Sequence, residues 1–337
     1  MTKATLQNAT TADLQTAPLD TENRLPPVAG VDERSRLPRE VFERRPTNFL
    51  ARFGFAVFLI AGCIALVLHT KSLILAGIGL FIIGMLYAHL VEFQHECLHG
   101  HAFRSKALNK WLGRASGVFF LSSYTHYKVE HLRHHATLGT PANTEFFDYR
   151  FSNLNGVWGF VSGAYNMARY RRVFGYIWQA FRGKPFTCAS QVPDQRDIRN
   201  EYLQFTVLIV VAAACSVFFH TWRVAELWLL PLLLSGEAIH FLIELPEHYG
   251  LNTQELPDVL SNTRTIDGTA FSRWFTNWNN YHTAHHYHPG VPMVKVSELD
   301  SLIRSKVKIQ TRSYTEFYGS IIKGNLRHEA SLSCMKR

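Results

Sequence analysis

Four long apolar stretches, arranged as two closely spaced pairs, dominate the hydrophobic pattern of the chain. The first pair covers about residues 53–69 and 73–93, and the second covers about residues 202–219 and 227–245. Each stretch is close to the ~20 apolar residues that a helix needs to cross a bilayer. Because only short polar segments separate the two members of a pair, each pair is predicted to form a helical hairpin. The pattern therefore predicts an all-α integral membrane protein with four transmembrane helices.

The basic residues are distributed unevenly around these hairpins, and they predict an orientation. Each hairpin turn holds one charged residue, Lys71 or Arg223, while nearly all other basic residues lie outside the hairpins. Cytoplasmic segments of membrane proteins carry the excess of Lys and Arg. We therefore expect both termini, and the segment between the hairpins, to face the cytoplasm. The net charge of +9 suits anionic lipid, and since the basic residues form no single stripe, no nucleic-acid partner is expected.

The polar segments predict the organisation of the rest of the chain. Residues 1–45 are aperiodic and lack the apolar region of a signal peptide, so we expect a disordered cytosolic tail. Residues 46–312 are predicted to form the membrane domain with a cytosolic helical cap, and residues 313–337 a C-terminal tail. Residues 154–186 alternate aromatic and basic side chains, which indicates a helix in the membrane interface or, alternatively, one packed on the cap. Because the N-terminus does not resemble a transit peptide, a bacterial inner membrane is favoured over the endoplasmic reticulum.

Three histidine clusters lie beyond or between the apolar stretches, and they carry the strongest chemical signal. They follow the patterns HxxxH, HxxHH and HxxHH, and their members are His95, His99, His131, His134, His135, His282, His285 and His286. On a helix, residues at i, i+3 and i+4 share a face, so each cluster is predicted to direct two or three imidazoles at one point. Imidazole suits iron, zinc, copper and nickel, and eight rings exceed what one metal ion can bind. The spacing therefore predicts two metal ions on the cytoplasmic side.

Other residue patterns leave two competing functions open. The segment His95-Glu-Cys-Leu-His99 also satisfies HExxH, in which two histidines bind zinc and the glutamate is the general base of a protease. A zinc membrane protease is a remote alternative, because it needs one further ligand and leaves two HxxHH clusters without a role. A non-catalytic metal or haem carrier is the other alternative. The five cysteines are scattered and odd in number, so neither a disulfide framework nor a zinc ribbon is expected.

With these residues in view, the chain resembles the membrane-bound fatty acid desaturase superfamily. The segments HECLHGHAF, VEHLRHHATLGTP and NYHTAHHYHPGVP are similar to the three histidine boxes of acyl-lipid desaturases, and the resemblance covers about residues 85–300. It implies two non-haem irons, bound by the boxes at the cytosolic ends of four membrane helices. It also implies an O2-dependent oxidoreductase that desaturates a fatty acyl chain of a lipid. Hydroxylation of a fatty acid or alkane, and carotenoid ketolation, are the alternatives within the superfamily.

The resemblance further implies a ninth ligand and the partners of the reaction. His248 occupies the place near the end of the fourth apolar stretch where the family contributes another histidine. Glu244 stands where the stearoyl-CoA and alkane branches have Asn, with Pro246 between, so either the helix is broken or a carboxylate enters the site. The expected partners are a lipid or fatty acyl substrate, O2 and an external electron donor of the ferredoxin or cytochrome b5 type. His288 lies in His-Pro-Gly-Val, which lacks the second glycine of a cytochrome b5 motif, so no fused haem domain is expected.

Polar residues beside the boxes are predicted to orient the ligands. Glu96, Glu130 and Asn280 are the main candidates, and Glu145 and Asp148 are further ones. For Glu96 and Glu130, a role as solvated cytosolic carboxylates is the alternative. No catalytic residue beyond the metal centre is expected, since the cofactor must supply the chemistry that breaks an unactivated C–H bond.

Overall fold

The computed structural model describes residues 37–149, 154 and 156–324, and it is mainly helical. In chain order the α-helices are α1 (Pro46–His69), α2 (Leu73–Leu98), α3 (Lys106–Gly117), α4 (Tyr124–Thr137), α5 (Gly156–Ala164), α6 (Met167–Phe181), α7 (Val192–Phe218), α8 (Ala225–His248), α9 (Val259–Asn262), α10 (Ala270–Phe275), α11 (His282–Tyr287), α12 (Val296–Ile303) and α13 (Tyr314–Ile322). Short 3₁₀ helices cover Arg39–Phe42, Val118–Phe120, Met293–Lys295 and Arg304–Lys306. Two strands, β1 (Thr265–Ile266) and β2 (Gln310–Thr311), pair in parallel. The predicted all-α class is confirmed.

Helices α1, α2, α7 and α8 are long and apolar enough to cross a membrane, as the apolar pattern predicts. Helices α1 and α2 form one hairpin, in which Ser72 caps α2 by accepting a hydrogen bond from the backbone N–H of Leu75. Helix α8 begins with two π-helical turns, Ala225–Leu229 and Leu232–Gly236. Pro231 lies between these turns and has no backbone N–H to donate, which favours such an irregularity.

The two hairpins meet through a close contact between α2 and α8. A Cβ atom on Gly84 would lie 2.1 Å from the carbonyl oxygen of Pro231, so only glycine permits this approach. Beside it, the Ser235 hydroxyl donates a 2.8 Å hydrogen bond to the carbonyl of Phe81. This contact holds the helix that carries the first histidine cluster against the helix that carries His248.

All four membrane helices extend beyond the predicted apolar stretches, and α2 and α7 are the examples that reach the cap. Helix α2 continues past residue 93 to Leu98, and α7 begins at Val192, well before residue 202. The added segment of α7, residues 192–201, is mostly polar and has protein partners: Glu201 accepts hydrogen bonds from Ser123, Thr125 and Arg114. Hydrophobicity marks only the lipid-facing part of a helix, so these extensions into the cap could not be read from the apolar pattern.

Residues 156–181 form two helices, α5 and α6, where one interfacial helix was expected. One face of the pair packs on the protein, because Arg169 is buried and bonded to Glu237 of α8. The opposite face carries exposed aromatic rings: Trp158 is 84% exposed and Trp178 63% exposed. Packing on the protein is therefore observed, and location in the membrane interface remains a prediction that these exposed rings support.

The segments predicted as tails are described only in part. Residues 1–36 and 325–337 lie outside the described residues. Within the predicted N-terminal tail, Val41 is buried in a cluster with Val291 and Val296. Within the predicted C-terminal tail, α13 buries Phe317, over which the Arg264 guanidinium stacks at 4.8 Å. Packed structure thus extends beyond both predicted boundaries, because a few apolar residues in these polar segments dock on the cap.

Candidate metal centre

Four helices deliver the histidines to one region at the cap side of the bundle. Helix α2 carries His95 and is followed immediately by His99, α4 carries the second cluster, α8 ends at His248 and α11 carries the third cluster. Helix α8 runs without interruption through Pro246. The sequence left two possibilities for this segment, a broken helix or a carboxylate in the site. The helix is not broken, and the Glu244 carboxylate lines a cavity beside the histidines.

The structure brings all nine histidines named from the sequence together, in two groups. Within each group, one nitrogen of every ring lies within 4.8 Å of those of the other members. The first group contains five residues, His95, His99, His131, His135 and His285. The second group contains four residues, His134, His248, His282 and His286. The two HxxHH clusters are therefore each divided between the groups, which differs from the expectation that each cluster points to one place.

The distances between ring nitrogens are those of donors that share a metal ion. In the first group, His131 Nε2 lies 2.8 Å from His95 Nε2, 3.0 Å from His99 Nε2 and 3.0 Å from His135 Nε2. In the second group, His248 Nε2 lies 3.2 Å from His134 Nε2 and 3.0 Å from His282 Nε2. Two nitrogens bound at right angles to one metal, each at about 2.1 Å, would lie about 3 Å apart. The residues present therefore fit two metal ions.

The electrostatics of the site favour neutral imidazoles, which is the form that binds metal. Six of the predicted ligands lie outside the membrane helices and have a pKa well below the ordinary value for histidine. The cause is burial, reinforced by the neighbouring histidines. These six are His99, His131, His135, His282, His285 and His286. Both ring nitrogens of His285 and of His286 are buried and have no hydrogen-bond partner among the described residues. Buried polar atoms are normally satisfied, so one nitrogen of each of these two rings is available to bind a metal ion.

Three hydrogen bonds orient the rings of the second group. The Nδ1 of His134 lies 2.8 Å from Asn143 Oδ1, that of His282 lies 3.1 Å from Asn279 Oδ1, and that of His248 lies 2.8 Å from a backbone carbonyl. Each acceptor holds a hydrogen on Nδ1 and leaves Nε2 free to bind metal. Sequence reasoning missed both asparagines. Asn279 lies beside the predicted Asn280, but nothing in the local pattern showed which of the two faces a histidine.

The three residues predicted to orient the ligands have other partners. Glu96 is buried and pairs with Arg52 at 3.1 Å, so it is not a solvated carboxylate. Glu130 bonds to Arg133 at 3.2 Å. The side chain of Asn280 donates to a backbone carbonyl of β1 at 2.6 Å.

Two carboxylates approach the second group instead. Glu145 Oε1 lies 3.5 Å from His134 Nδ1, as its place near the second box suggested. Glu247 Oε2 lies 3.4 Å from His282 Nε2, and its other oxygen accepts a 2.7 Å hydrogen bond from Asn279. Glu247 was not recognised from the sequence, although it immediately precedes His248.

Two cavities lie near the metal centre, and the nine histidines contribute to the wall of the inner one only. The outer cavity has a volume of about 530 Å³, and its wall includes Tyr149, Arg172 and Glu130. The inner cavity, of about 20 Å³, has the size of a single water site, and His95 and Glu244 contribute to its wall. The residues that line both cavities are Glu145 and Phe146. A thin wall therefore separates the metal centre from the larger space.

Comparison with known proteins identifies the family. The model of the family described as Fatty acid desaturase matches residues 72–318, which is most of the chain, so this protein belongs to the fatty acid desaturase family. The expected resemblance is confirmed. Family membership makes the protein a desaturase-type oxidoreductase, and its four apolar helices make it a membrane protein. It lends no support to the zinc protease alternative.

Two named desaturases are similar to the chain. An sn-1 acyl-lipid omega-3 desaturase (ferredoxin) of Synechocystis sp. is 35% identical over 106 residues, which cover 32% of this chain and 30% of that protein. The dihydrorhizobitoxine desaturase of Bradyrhizobium elkanii is 23% identical over 297 residues, which cover 84% of this chain and 82% of that protein. The chain thus matches less than a third of the first relative and most of the second.

Proposed function

We propose that this protein uses two irons and O2 to desaturate a fatty acyl chain of a lipid. The observation that carries the proposal is the convergence of nine histidines as a group of five and a group of four. Imidazole is a suitable donor for iron, and desaturases of this family generally use a di-iron centre. The name of the Synechocystis relative gives an acyl lipid as the substrate of that protein.

In this proposal the first group would hold one iron and the second group the other. When bound, the irons would supply the redox chemistry that breaks an unactivated C–H bond with O2 as oxidant. The chain contributes the positions of the imidazoles, through α2, α4, α8 and α11. The asparagines Asn143 and Asn279 hold the rings in the tautomer that binds metal, and burial of the centre excludes bulk water.

The proposal includes a location and an electron donor. The positive charges outside the hairpins support a cytoplasmic active site and cytoplasmic termini. The proposed membrane is the bacterial inner membrane. An external protein of the ferredoxin or cytochrome b5 type would supply electrons. The word ferredoxin in the name of one relative supports the first of these donors.

Mass spectrometry of lipids from cells that express the chain tests the function. With a ferredoxin and its reductase co-expressed, we expect new acyl species that lack two hydrogens, and none with the variant His285→Ala. The control variant His69→Ala removes an exposed histidine at the end of α1 and should retain activity. Species that gain oxygen would move the assignment to hydroxylation or ketolation. An unchanged lipid profile, with the protein loaded with iron and both electron proteins present, would contradict acyl-lipid desaturation.

The name of one relative favours a second candidate, desaturation of a water-soluble substrate that is not an acyl lipid. The relative that matches over most of both chains is named for dihydrorhizobitoxine and not for an acyl lipid. The same experiment decides between the candidates if the aqueous extract is analysed too: a polar product lacking two hydrogens, with unchanged lipids, would favour the second.

A further inference from the structure

We infer that Tyr149, His240 and Glu244 form a proton relay from the outer cavity to the inner cavity beside the histidines. The inference rests on the proposed function. Desaturation removes two hydrogens from the substrate while O2 is reduced to two molecules of water. The substrate supplies two of the four electrons and two of the four protons, and the electron donor supplies the other two electrons. Two protons must therefore reach a buried centre from solvent in each cycle, whichever of the two substrates is used.

The three side chains connect the cavities end to end. Tyr149 lines the outer cavity, and its hydroxyl oxygen lies 2.5 Å from His240 Nδ1. On the other side of the same ring, His240 Nε2 lies 3.2 Å from Glu244 Oε1. Glu244 in turn lines the inner cavity, together with His95. The three polar groups therefore lie in a row between the two cavities, and the link from His240 to Glu244 is close in distance without the alignment of a hydrogen bond.

The donors and acceptors along this path have one consistent direction. When the Tyr149 hydroxyl donates to Nδ1, the hydrogen of the neutral imidazole lies on Nε2. This atom is 3.2 Å from Glu244 Oε1 but is not aligned with it as a hydrogen bond, so the transfer to Glu244 requires a small rotation of one side chain. Burial, with help from Glu244 and Glu237, raises the pKa of Tyr149 well above its usual range, so this hydroxyl remains a donor. A proton that arrives at Tyr149 can be passed on by transferring the hydroxyl hydrogen to Nδ1 and the Nε2 hydrogen to Glu244.

The surroundings of His240 favour this path over direct entry of water. His240 is fully buried, and the rings of Phe147 and Phe120 lie 4.2 Å and 5.0 Å from its ring. A second carboxylate, Glu92, has an oxygen within 4.8 Å of ring or carboxylate atoms of His240 and Glu244, and its Oε2 atom is buried without a hydrogen-bond partner in the described part of the chain. This free oxygen gives a proton on Glu244 a further acceptor close to the centre.

The relay is tested in the full-length, iron-loaded enzyme with Tyr149→Phe and Glu244→Gln. Both substitutions keep the shape of the side chain but remove a group that can exchange a proton. We expect the turnover number to fall about 10²-fold, the usual scale of a lost proton-transfer group, with the KM for substrate and the iron content unchanged. The ratio of the rates in H2O and D2O should rise above that of the wild type. The matched control is Tyr318→Phe, which removes a partly buried hydroxyl that donates at 2.5 Å to the Leu242 carbonyl of α8, the helix that carries His240 and Glu244.

A second measurement needs no activity. NMR spectra of metal-free protein with ¹⁵N-labelled histidine should show the hydrogen of His240 on Nε2. The His240 signals are assigned by their loss in His240→Gln. Tyr149→Phe should shift the Nδ1 signal, and Tyr318→Phe should not. Three results would overturn the relay. They are a hydrogen on Nδ1 of His240 instead of Nε2, an isotope effect equal to that of the wild type in both relay variants, and loss of iron from Glu244→Gln. A wild-type protein that neither binds iron nor consumes O2 would instead refute the proposed function, while the tautomer result would still stand.

Discussion

At the scale of single residues, the position within an HxxHH pattern decides which metal group an imidazole joins. In α4, His131 and His135 belong to the first group and His134 to the second. In α11 the pairing is reversed, since His282 and His286 belong to the second group and His285 to the first. With 3.6 residues per turn, positions i and i+4 lie about 40° apart around a helix, and position i+3 lies about 60° to the other side. Each HxxHH helix therefore spans the space between two metals.

This division predicts that neighbouring residues control different ions. His285→Ala should reduce the bound iron from two ions to one by emptying the first group, and His286→Ala should do the same by emptying the second. Elemental analysis and Mössbauer spectroscopy of the two purified variants would show the remaining irons in different environments. Identical residual spectra would contradict the assignment of these two adjacent residues to separate ions.

The asparagine that holds His282 gives a second prediction at this scale. Asn279→Ala removes the acceptor at Nδ1 and the tether of Glu247, so affinity for one of the two metals should fall about 10–100-fold. Titration of metal-free protein with Fe(II) or Co(II) measures this as one weakened and one unchanged binding step. Equal weakening of both steps would argue against a local effect on the second group.

At the scale of the elements, the contact between α2 and α8 determines whether the two groups can form at all. These helices supply His95 and His248, which belong to different groups, and they approach closely where Gly84 faces Pro231. The membrane helices also continue into the cap, so that the histidines are carried on regular helix beyond the apolar stretch. The position of the centre therefore depends on helix length and helix packing together.

A pair of glycine substitutions on α2 tests the importance of this contact. Gly84→Ala places a Cβ 2.1 Å from the Pro231 carbonyl and should destabilise the protein by about 1–3 kcal/mol, because overpacking forces the helices apart. Gly77→Ala is the control, since, apart from its own stretch of helix backbone, no atom of the described residues lies within 4 Å of the added Cβ. Thermal unfolding in detergent measures both variants. Similar midpoints for the two would show that α2 and α8 can separate at little cost.

At the scale of the whole molecule, the arrangement of charge predicts how the protein lies in the membrane. The two hairpin turns hold one basic residue each, Lys71 and Arg223. The cap, which contains the histidines, and the described parts of both terminal segments belong to the basic parts of the chain, so they are expected on the cytoplasmic side. The exposed aromatic face of α5 and α6 suits the boundary between the cap and the lipid.

Site-directed labelling tests this orientation in intact bacterial cells. In a cysteine-free background, Lys71→Cys and Arg223→Cys should react with a membrane-impermeant maleimide added outside the inner membrane. Lys323→Cys, beyond the last helix, should react only after the membrane is permeabilised. Labelling of Lys323→Cys before permeabilisation would reverse the proposed topology.

The sequence alone determined the features that depend on neighbours along the chain. Hydrophobicity over about 20 residues predicted the four membrane helices, and the helical period together with the family resemblance named all nine histidines that converge. These signals are local, because each depends on residues within one helix or on a short motif. The resemblance added His248, which stands alone and has no pattern of its own.

Only the tertiary structure decided which residues meet across the bundle. The split of each HxxHH pattern depends on where two groups of partners lie around the helix, and His134 meets His248 from another helix. Asn143 and Asn279, and the link of Tyr149 through His240 to Glu244, likewise depend on how distant segments pack. His240 shows the reason most clearly: it is an isolated histidine in an apolar helix, and its role follows from partners that no local period can reveal.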